Sequence, residues 1–254
     1  MLSRIAEGLF ETGRDVERAE NVVRILEVQH KMHLARQAWN PSRDWMPIFE
    51  AFGVEDADEP SEEALYAVLV LADTHPYSVR GRIASARERA RAFRDHISEE
   101  MWEHLNRSHL RLAPLRFADI HNVGRSEFNR LIEVFCDAFH GLADDTMIHG
   151  PEWHFLRLGK YVERAEMLCR ILDVKRKTLE LAPEEKGRPI DFHQWQGLLR
   201  SVSAYEPYRR VYDARIVPSQ VLDLVLNHPD FPRSYRFCLA RIEESLRSVT
   251  TEAW

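Results

Sequence analysis

The stretch GRDVERAENVVRILEV at residues 13–28 is followed, 146 residues later, by GKYVERAEMLCRILDV at residues 159–174. Ten of the sixteen positions are identical between the two stretches. Apolar residues recur at three- and four-residue steps in the first stretch and around it, which predicts an amphipathic helix over about 2–36. The sequence therefore predicts that one helix is present twice in the chain.

Two further pairs of blocks follow in the same order. DWMPIF at 44–49 matches HQWQGLL at 193–199 through Trp45 and Trp195, and PYSVRGRIASARE at 76–88 matches PRSYRFCLARIEE at 232–244. The offset grows from 146 to 150 and then to 156 residues, as expected where loops tolerate insertions. The last pair shares the pattern Pro-x-Ser-x-Arg, which ends at Arg80 in one block and at Arg236 in the other.

These three pairs predict an all-α fold, an internally duplicated helical bundle with its two repeats about a pseudo-two-fold axis. We expect a single domain over 1–254, made of repeat 1 (1–145) and a shorter repeat 2 (146–254). Repeats of this kind usually share one core. We expect the two repeats to pack together in antiparallel fashion, with 13–28 and 159–174 in contact or facing one another near the axis.

The rest of the chain also reads as helical, since no stretch alternates apolar and polar residues with a period of two. Beyond the repeated helix, we predict helices around Trp45–Phe52, over 62–73, from His75-Pro76 to about Ile97, after a Ser98 cap, and over roughly 114–142.

Composition limits the class of protein. Hydrophobic residues make up 44% and charged residues 30% of 254 residues, which is typical of a globular chain. A net charge of −6 argues against a nucleic-acid binder. The longest apolar run is too short to span a membrane, and the N-terminus lacks the pattern of a signal peptide. Three isolated cysteines favour a reduced compartment, so we expect a cytoplasmic protein.

The repeated helix carries a narrow charged stripe. Spacing at about 100° per residue places four retained residues on one side of each copy. An exposed Glu-to-Arg pair four residues apart contributes only a few tenths of a kcal/mol, which does not explain its retention. The stripe residues are Gly13, Glu17, Glu20 and Arg24 in the first copy and Gly159, Glu163, Glu166 and Arg170 in the second.

Arg18 and Arg164 lie instead at the edge of the apolar face. A half-buried guanidinium needs an anionic partner, because an unpaired buried charge is very costly. Asp15 could pair with Arg18 locally, but the second copy has Tyr161 at that position. We therefore expect each arginine to pair with a glutamate of another helix. A binding site for a carboxylate or phosphate ligand is the alternative to such a buried ion-pair network.

Two weaker patterns point to chemistry. Glu27-x-x-His30 has the spacing of a di-iron ligand pair, but the second copy reads Asp173-x-x-Arg176. Cys136 and His140 share a helix face and could form a thiolate pair, but no orienting group is evident. There is no P-loop, GxGxxG or GxSxG motif. We predict no metal, no cofactor and no identifiable catalytic residue.

The two repeats differ in length. Nothing after Thr250 matches the segment from Ser98 to Ala143. Part of the second repeat's apolar surface should therefore be uncovered near the C-terminus, where self-association or a partner would cover it.

Four segments of the chain closely resemble the bacterial alpha-E family, an all-helical domain named for its Glu-Arg motifs. The segments are MLSRIAEGLF…RDVERAEN, SARERARAFRDHISEEMWEHLN, WHFLRLGKYVERAEMLCRILDV and FPRSYRFCLARIEESL. Glu17-Arg18 and Glu163-Arg164 match those motifs. The resemblance adds a central block, which extends the predicted binding or ion-pair residues to Arg87, Glu88, Arg94 and Glu100 in addition to Arg80, Arg236 and the pairs above.

The resemblance implies a functional context. Such proteins are encoded beside, or fused to, a circularly permuted ATP-grasp protein, often near a transglutaminase-like peptidase. ATP-grasp enzymes activate a carboxylate as an acyl phosphate and join it to an amine. The implied function is a non-catalytic helical accessory protein for peptide synthesis or modification, which could hold a carboxylate-bearing peptide on Arg/Glu clusters. The alternatives are a hydrolase or transferase with a glutamate general base, and a purely structural scaffold.

Overall fold

The computed structural model describes residues 3–36, 41–54, 60–181 and 189–251. Within these ranges all the regular secondary structure is helical and no strand is formed, which confirms the all-α fold class. No helix in the described ranges is long and apolar enough to cross a lipid bilayer. The helices are α1 (Ser3–Arg36), α2 (Pro41–Phe52), α3 (Glu62–Leu69), α4 (Val79–Ala92), α5 (Glu99–Leu112), α6 (Phe117–Val123), α7 (Arg125–Thr146), α8 (Pro151–Leu181), α9 (Pro189–Ser201), α10 (Tyr205–Val211), α11 (Pro218–Asn227) and α12 (Tyr235–Thr251).

Helix α4 begins later than the sequence predicts. The Ser78 hydroxyl accepts the N–H of Gly81 at 3.4 Å, so Ser78 is the N-cap and Pro76 lies outside the helix. The same hydroxyl donates to the carbonyl of Ala72 and ties the start of α4 to the preceding turn. Helix α4 also ends early, at Ala92, and a 3₁₀ turn follows it.

The helix predicted over 114–142 is two helices. Gly124 has φ of +95°, a conformation outside the helical region that glycine adopts at little cost. It therefore separates α6 from α7, and α7 continues to Thr146. Helix α3 is likewise shorter than predicted, since it ends at Leu69 rather than near residue 73.

Helices α1 and α8 lie side by side at the centre of the molecule. A Cβ atom on Gly13 would overlap the carbonyl oxygen of Leu156, and a Cβ on Gly159 would overlap that of Phe10. Further along the pair, Ile25 and Ile171 line the same small cavity of about 70 Å³. The offset between neighbouring residues stays near 146 along the contact, so α1 and α8 run parallel.

The expected antiparallel packing is therefore wrong, although the two repeated segments do contact each other. Similarity between two helices does not specify their relative direction. The side chains that meet across the interface decide it, together with the helices that cover each of its sides.

The remaining helices cover this central pair. Helix α4 packs on α1, α12 packs on α8, and each central helix also contacts a short helix of the other half: α9 lies against α1 and α2 against α8. Trp45 of α2 and Trp195 of α9 are both buried in the resulting core. Helices α5 and α7 form an additional layer over α4 and α1.

The exposed side of α12 carries an apolar stripe. Leu239 and Leu246 are 47% and 48% exposed, whereas Ile83 and Ala90 are fully buried at the matching positions of α4, 156 residues earlier. Helix α5 packs on α4, whereas the main contacts of α12 with other described helices are those with α8 and α11. The apolar patch expected near the C-terminus is thus present on this helix.

Candidate functional site

Two reciprocal ion pairs join α1 to α8. Arg18 donates from Nε and Nη2 to the two carboxylate oxygens of Glu163, both at 2.6 Å. Arg164 donates in the same way to Glu17, both at 2.7 Å. All four side chains are buried, and each arginine uses the two-pronged geometry that gives the strongest carboxylate binding. We call these four residues the Glu–Arg centre.

Each arginine of the centre also donates a third hydrogen bond to a backbone carbonyl. Arg18 Nη1 donates to Pro76 O at 3.2 Å, and Arg164 Nη1 donates to Pro232 O at 3.3 Å. These prolines precede α4 and α12 at matching places in the two halves. The centre therefore connects the starts of both covering helices to the central pair.

The second carboxylates of the stripe are held differently in the two halves. Glu20 is buried and accepts from Arg24 Nη2 at 2.6 Å, but Glu166 is part-exposed and lies 3.6 Å from Arg170. Arg170 instead donates to the Tyr77 hydroxyl at 2.5 Å and to a backbone carbonyl of α2. The stripe is thus part of the interface between α1 and α8, and Arg170 at its C-terminal end contacts the short helix α2.

Two cations of this region were not anticipated from the sequence. Arg14 donates to Glu163 at 2.9 Å and to Glu166 at 2.8 Å. Arg233 lies 3.5 Å from Glu17 and also pairs with Glu20. Arg14 could have been found, because it lies one turn before Arg18 on the same helix. Arg233 lies in a turn far along the chain, so helical spacing does not predict its place beside Glu17 and Glu20.

Asp15 forms a separate buried cluster on the other side of α1. It pairs with Arg82 at 3.3 Å and with Arg89, both on α4. Burial raises the pKa of Asp15 to about 6, while the two arginines act in the opposite direction. The second half has no such cluster, because its matching residues are Tyr161, Cys238 and Ser245.

The other predicted residues lie outside the Glu–Arg centre. Arg80 pairs with the exposed Asp73 at 3.0 Å, whereas its counterpart Arg236 is exposed. The shared Pro-x-Ser-x-Arg pattern thus contributes a carbonyl and a helix cap, and its arginine plays no common part. The sequence expectation that both arginines join one network does not hold.

The central block surrounds Trp102. The guanidinium groups of Arg87 and Arg94 lie 5.6 and 4.9 Å from the centroid of the Trp102 ring. Glu88 pairs with Arg87, and Glu100 is exposed at the start of α5. These contacts join α4 to α5, and the structure does not bring the block to the Glu–Arg centre.

The pKa shifts of Glu17 and Arg164 are those of a closed ion-pair network, in which both side chains stay charged. Burial by itself raises the pKa of Glu17, but the charge and hydrogen bonds of Arg164, together with the nearby His140 ring, lower it well below its ordinary value. Burial lowers the pKa of Arg164, and Glu17 more than reverses that effect. A carboxylate with a lowered pKa is a weak base, so Glu17 is poorly suited to abstract a proton.

The lowered pKa of Glu17 predicts how stability depends on pH. The unfolded chain binds a proton at Glu17 more tightly than the folded chain does. The stabilisation is therefore complete above the ordinary pKa of 4.5 and is lost as the pH falls through the folded-state value. Urea unfolding between pH 7 and pH 3 should show a smaller dependence on pH for Glu17→Gln than for wild type. Equal slopes for the two proteins would contradict this assignment.

Glu17, Glu20 and His140 lie close enough together to hold a metal ion. Glu17 is already bound by Arg164, and Glu20 by Arg24 and Arg233. A divalent cation would enter a region crowded with guanidinium groups, which opposes its binding. The arrangement is better suited to holding the two halves together than to metal chemistry.

The weaker sequence patterns separate in the structure. Cys136 is buried and its Sγ donates to Val16 O at 3.4 Å, while burial raises the pKa of the thiol well above its ordinary value. It is therefore a neutral core residue. Glu27 pairs with Lys31 at 2.7 Å, and His30 lies 2.5 Å from Glu62, so Glu27 and His30 bind different groups.

Comparison with known families agrees with the geometry of the centre. The model of a family described as a predicted alpha-helical domain with a conserved ER motif matches residues 1–253. The protein belongs to the Alpha-E family. The two Glu-Arg dipeptides of the centre are in keeping with that description of the Alpha-E domain.

Curated relatives of this Alpha-E chain come from mycobacteria. Two proteins of Mycobacterium tuberculosis strains and one of Mycobacterium bovis, each called uncharacterized, are 23% identical to it over 270 residues. The match covers 97% of this chain and 30% of each relative, so the chain spans about a third of their length. No solved structure matches it significantly.

Proposed function

We propose that this protein is a non-catalytic helical accessory protein, in which the Glu–Arg centre fixes the register of two half-bundles. One observation carries the proposal: both glutamates of the centre are buried and each is bound in two-pronged fashion by an arginine of the other central helix. A closed network of this kind leaves no carboxylate of the centre free to react. Its arrangement favours a structural role for the Glu-Arg motifs themselves.

We also propose that residues 1–145 and 146–254 are two copies of one helical unit about a pseudo-two-fold axis. The support lies in matched contacts: the reciprocal pairs of the centre and the reciprocal overlaps at Gly13 and Gly159. The helix caps match as well. Ser78 and Ser234 each cap α4 or α12 and each donate to a carbonyl six residues earlier in the chain.

The alternative of a hydrolase or transferase needs a glutamate general base. Glu17 and Glu20 both have lowered pKa values, because nearby arginine charge outweighs the effect of burial. Glu163 is bound by Arg14 as well as by Arg18. The geometry therefore favours the accessory role over this alternative.

The proposed setting is a bacterial cytoplasmic system in which a circularly permuted ATP-grasp protein makes an amide bond and a transglutaminase-like peptidase acts on the same peptide. This setting is what the resemblance to the alpha-E family implies, since such proteins are encoded beside, or fused to, an ATP-grasp protein. The free cysteines Cys136, Cys169 and Cys238 are compatible with a reducing compartment. Within this system the protein would present a carboxylate-bearing peptide to the ligase.

We propose the outer face of α12 as the surface that meets the ATP-grasp partner. Tyr235, Leu239 and Leu246 form one exposed apolar stripe on this helix, and such stripes commonly mark protein contacts. Co-expression with the ATP-grasp protein of the same genome should give a complex that survives gel filtration. The double variant Leu239→Glu/Leu246→Glu should remain folded, because both leucines are half-exposed, but should lose the complex.

Leu110→Glu is the matched control, since Leu110 is an exposed leucine of α5 outside this stripe. A complex that survives the α12 variant would overturn the choice of surface. Self-association of the protein alone, abolished by the same variant, would assign the stripe to a second copy instead. Absence of any complex, together with turnover of a peptide by the protein alone, would overturn the accessory role.

A further inference from the structure

A second cavity, of about 290 Å³, lies beside the Glu–Arg centre. It is lined by side chains of α7 and α8 and of the turn that joins them, among them His140, His149, Trp153, Lys160 and Tyr161. Its size approaches the lower end of typical small-molecule sites. Its lining combines charged and aromatic groups, whereas the smaller cavity at Ile25 and Ile171 has no aromatic residue in its described lining.

Lys160 is the first reason to consider a ligand here. It matches Arg14 of the first half, which holds two glutamates. The corresponding carboxylates near Lys160 are Glu17 and Glu20, which are held by arginines instead. Among the described residues, Lys160 has no hydrogen bond and no ion pair, and it is only part-exposed. Burial and the nearby charge of Arg164 lower the pKa of Lys160, whereas the carboxylates of Glu17, Asp144 and Glu20 act in the opposite direction without forming an ion pair with it.

The aromatic wall of the cavity is the second reason. The Trp153 ring stacks on His149 at 4.0 Å between centroids, and Arg157 lies 4.8 Å from the Trp153 centroid. The indole N–H donates to Asp144 Oδ1 at 3.0 Å, which fixes the ring in place. Tyr161 extends the same surface toward the Glu–Arg centre. This wall is held in shape by contacts within the protein, so an apolar group could bind with little rearrangement.

His140 closes the inner end of the cavity. It is buried, and its Nε2 lies 3.4 Å from Glu17 without a hydrogen bond of good geometry. Burial lowers the pKa of His140, so the ring is neutral near pH 7. A neutral imidazole adds no charge but offers a hydrogen bond to a polar group placed beside it.

We propose that this cavity binds the carboxylate of a small molecule or peptide end, with Lys160 holding the carboxylate and Trp153 and Tyr161 contacting the apolar part beside it. The charge balance favours a carboxylate over a phosphate. Lys160 is the one cation of the lining that lacks an anionic partner among the described residues, since Arg157 is paired with Glu244 at 3.0 Å. The carboxylate of Asp144 also lines the cavity, but it is exposed to solvent and accepts the Trp153 indole N–H. One free cation matches a monoanion, whereas a phosphate dianion would leave a buried negative charge.

This inference rests on the proposed accessory role only for the peptide nature of the ligand. Three probes separate the chemistry: N-acetyl-phenylalanine, its uncharged amide and phenyl phosphate. Calorimetric titration should show that the carboxylate binds at least about tenfold more tightly than the amide, since a hydrogen bond to a charged group contributes that much. The indole N–H signal of Trp153 in nitrogen-15 spectra should shift with N-acetyl-phenylalanine.

Lys160→Met should remove at least about tenfold of the affinity for the carboxylate and leave the weak binding of the amide unchanged. Lys177→Met is the matched control, because Lys177 lies on the same helix and pairs with Glu50 instead. Circular dichroism establishes that both variants are folded. If Lys160→Met does not fold, the titrations of wild type with the acid and the amide still test whether the cavity prefers a carboxylate.

Equal binding of acid and amide, or an unshifted Trp153 signal, would overturn the proposal. Tighter binding of phenyl phosphate would overturn the choice of a carboxylate. Failure of all three probes would overturn the site and leave the accessory role intact, because that role is tested separately by the complex with the ATP-grasp protein.

Discussion

Arg164→Ala is expected to lower the free energy of unfolding by about 3–5 kcal/mol. The substitution leaves the buried Glu17 carboxylate with only the longer contact from Arg233, at 3.5 Å, among its arginine partners. Arg18→Ala should have an effect of similar size, reduced where Arg14 continues to hold Glu163. Urea unfolding followed by circular dichroism measures both.

A double-mutant cycle separates the pair from its surroundings. Arg164→Ala combined with Glu17→Ala should cost clearly less than the sum of the single substitutions, because each single one leaves a buried charge behind. Arg18 and Arg164 bind different carboxylates, so their combined substitution should be closer to additive than the Arg164–Glu17 cycle. Arg130→Ala serves as the control, since it breaks a solvent-exposed pair with Glu127 and should leave stability nearly unchanged. Losses below about 1 kcal/mol for both buried arginines would show that the centre is not structural.

Alanine at the two close-contact glycines should also be strongly destabilising. Gly13→Ala and Gly159→Ala each place a methyl group against the backbone of the facing helix, at Leu156 and Phe10. A backbone cannot move aside as a side chain can, so the central helices must separate. We expect losses at the upper end of overpacking costs, about 3 kcal/mol each.

Gly141→Ala is the matched control for this prediction. Gly141 lies in α7, is exposed, and has no atom within 4 Å of the added methyl group. Alanine has the higher helix propensity, so this variant should gain about 0.5–1 kcal/mol. Thermal unfolding of the three variants should therefore show shifts of opposite sign. A gain in stability at Gly13 or Gly159 would mean that α1 and α8 do not approach this closely.

Several features of the Glu–Arg centre follow from the pattern of residues alone. The stripe retained in both copies indicated that residues 13–28 and 159–174 matter together, and Tyr161 at the position of Asp15 ruled out a local partner for Arg164. Each central helix carries a Glu-Arg dipeptide, so the glutamate of one helix can pair with the arginine of the other. These inferences work because they depend on spacing along one helix, which covalent geometry specifies.

Other features follow from contacts between residues far apart in the chain. Arg233 joins the centre from 216 residues beyond Glu17, and its counterpart in the first half is Tyr77, so comparison of the repeats gives no sign of it. Lys160 forms no ion pair among the described residues, while Glu20, which it would bind by analogy with Arg14, pairs with Arg24 and Arg233 instead. The periodicity of the sequence predicts neither the position of Arg233 nor the lack of an ion pair at Lys160.

By itself the sequence determined that the chain is helical, that residues 13–28 and 159–174 are alike at ten of sixteen positions, and that Arg18 and Arg164 need anionic partners. The tertiary structure alone decided that α1 and α8 run parallel and which carboxylate each arginine binds. It also decided that Lys160 is left without an anionic partner among the described residues. The physical reason is range: helix formation and amphipathicity depend on residues a turn or two apart, whereas helix direction and the sharing of buried charges depend on every element packed around the pair.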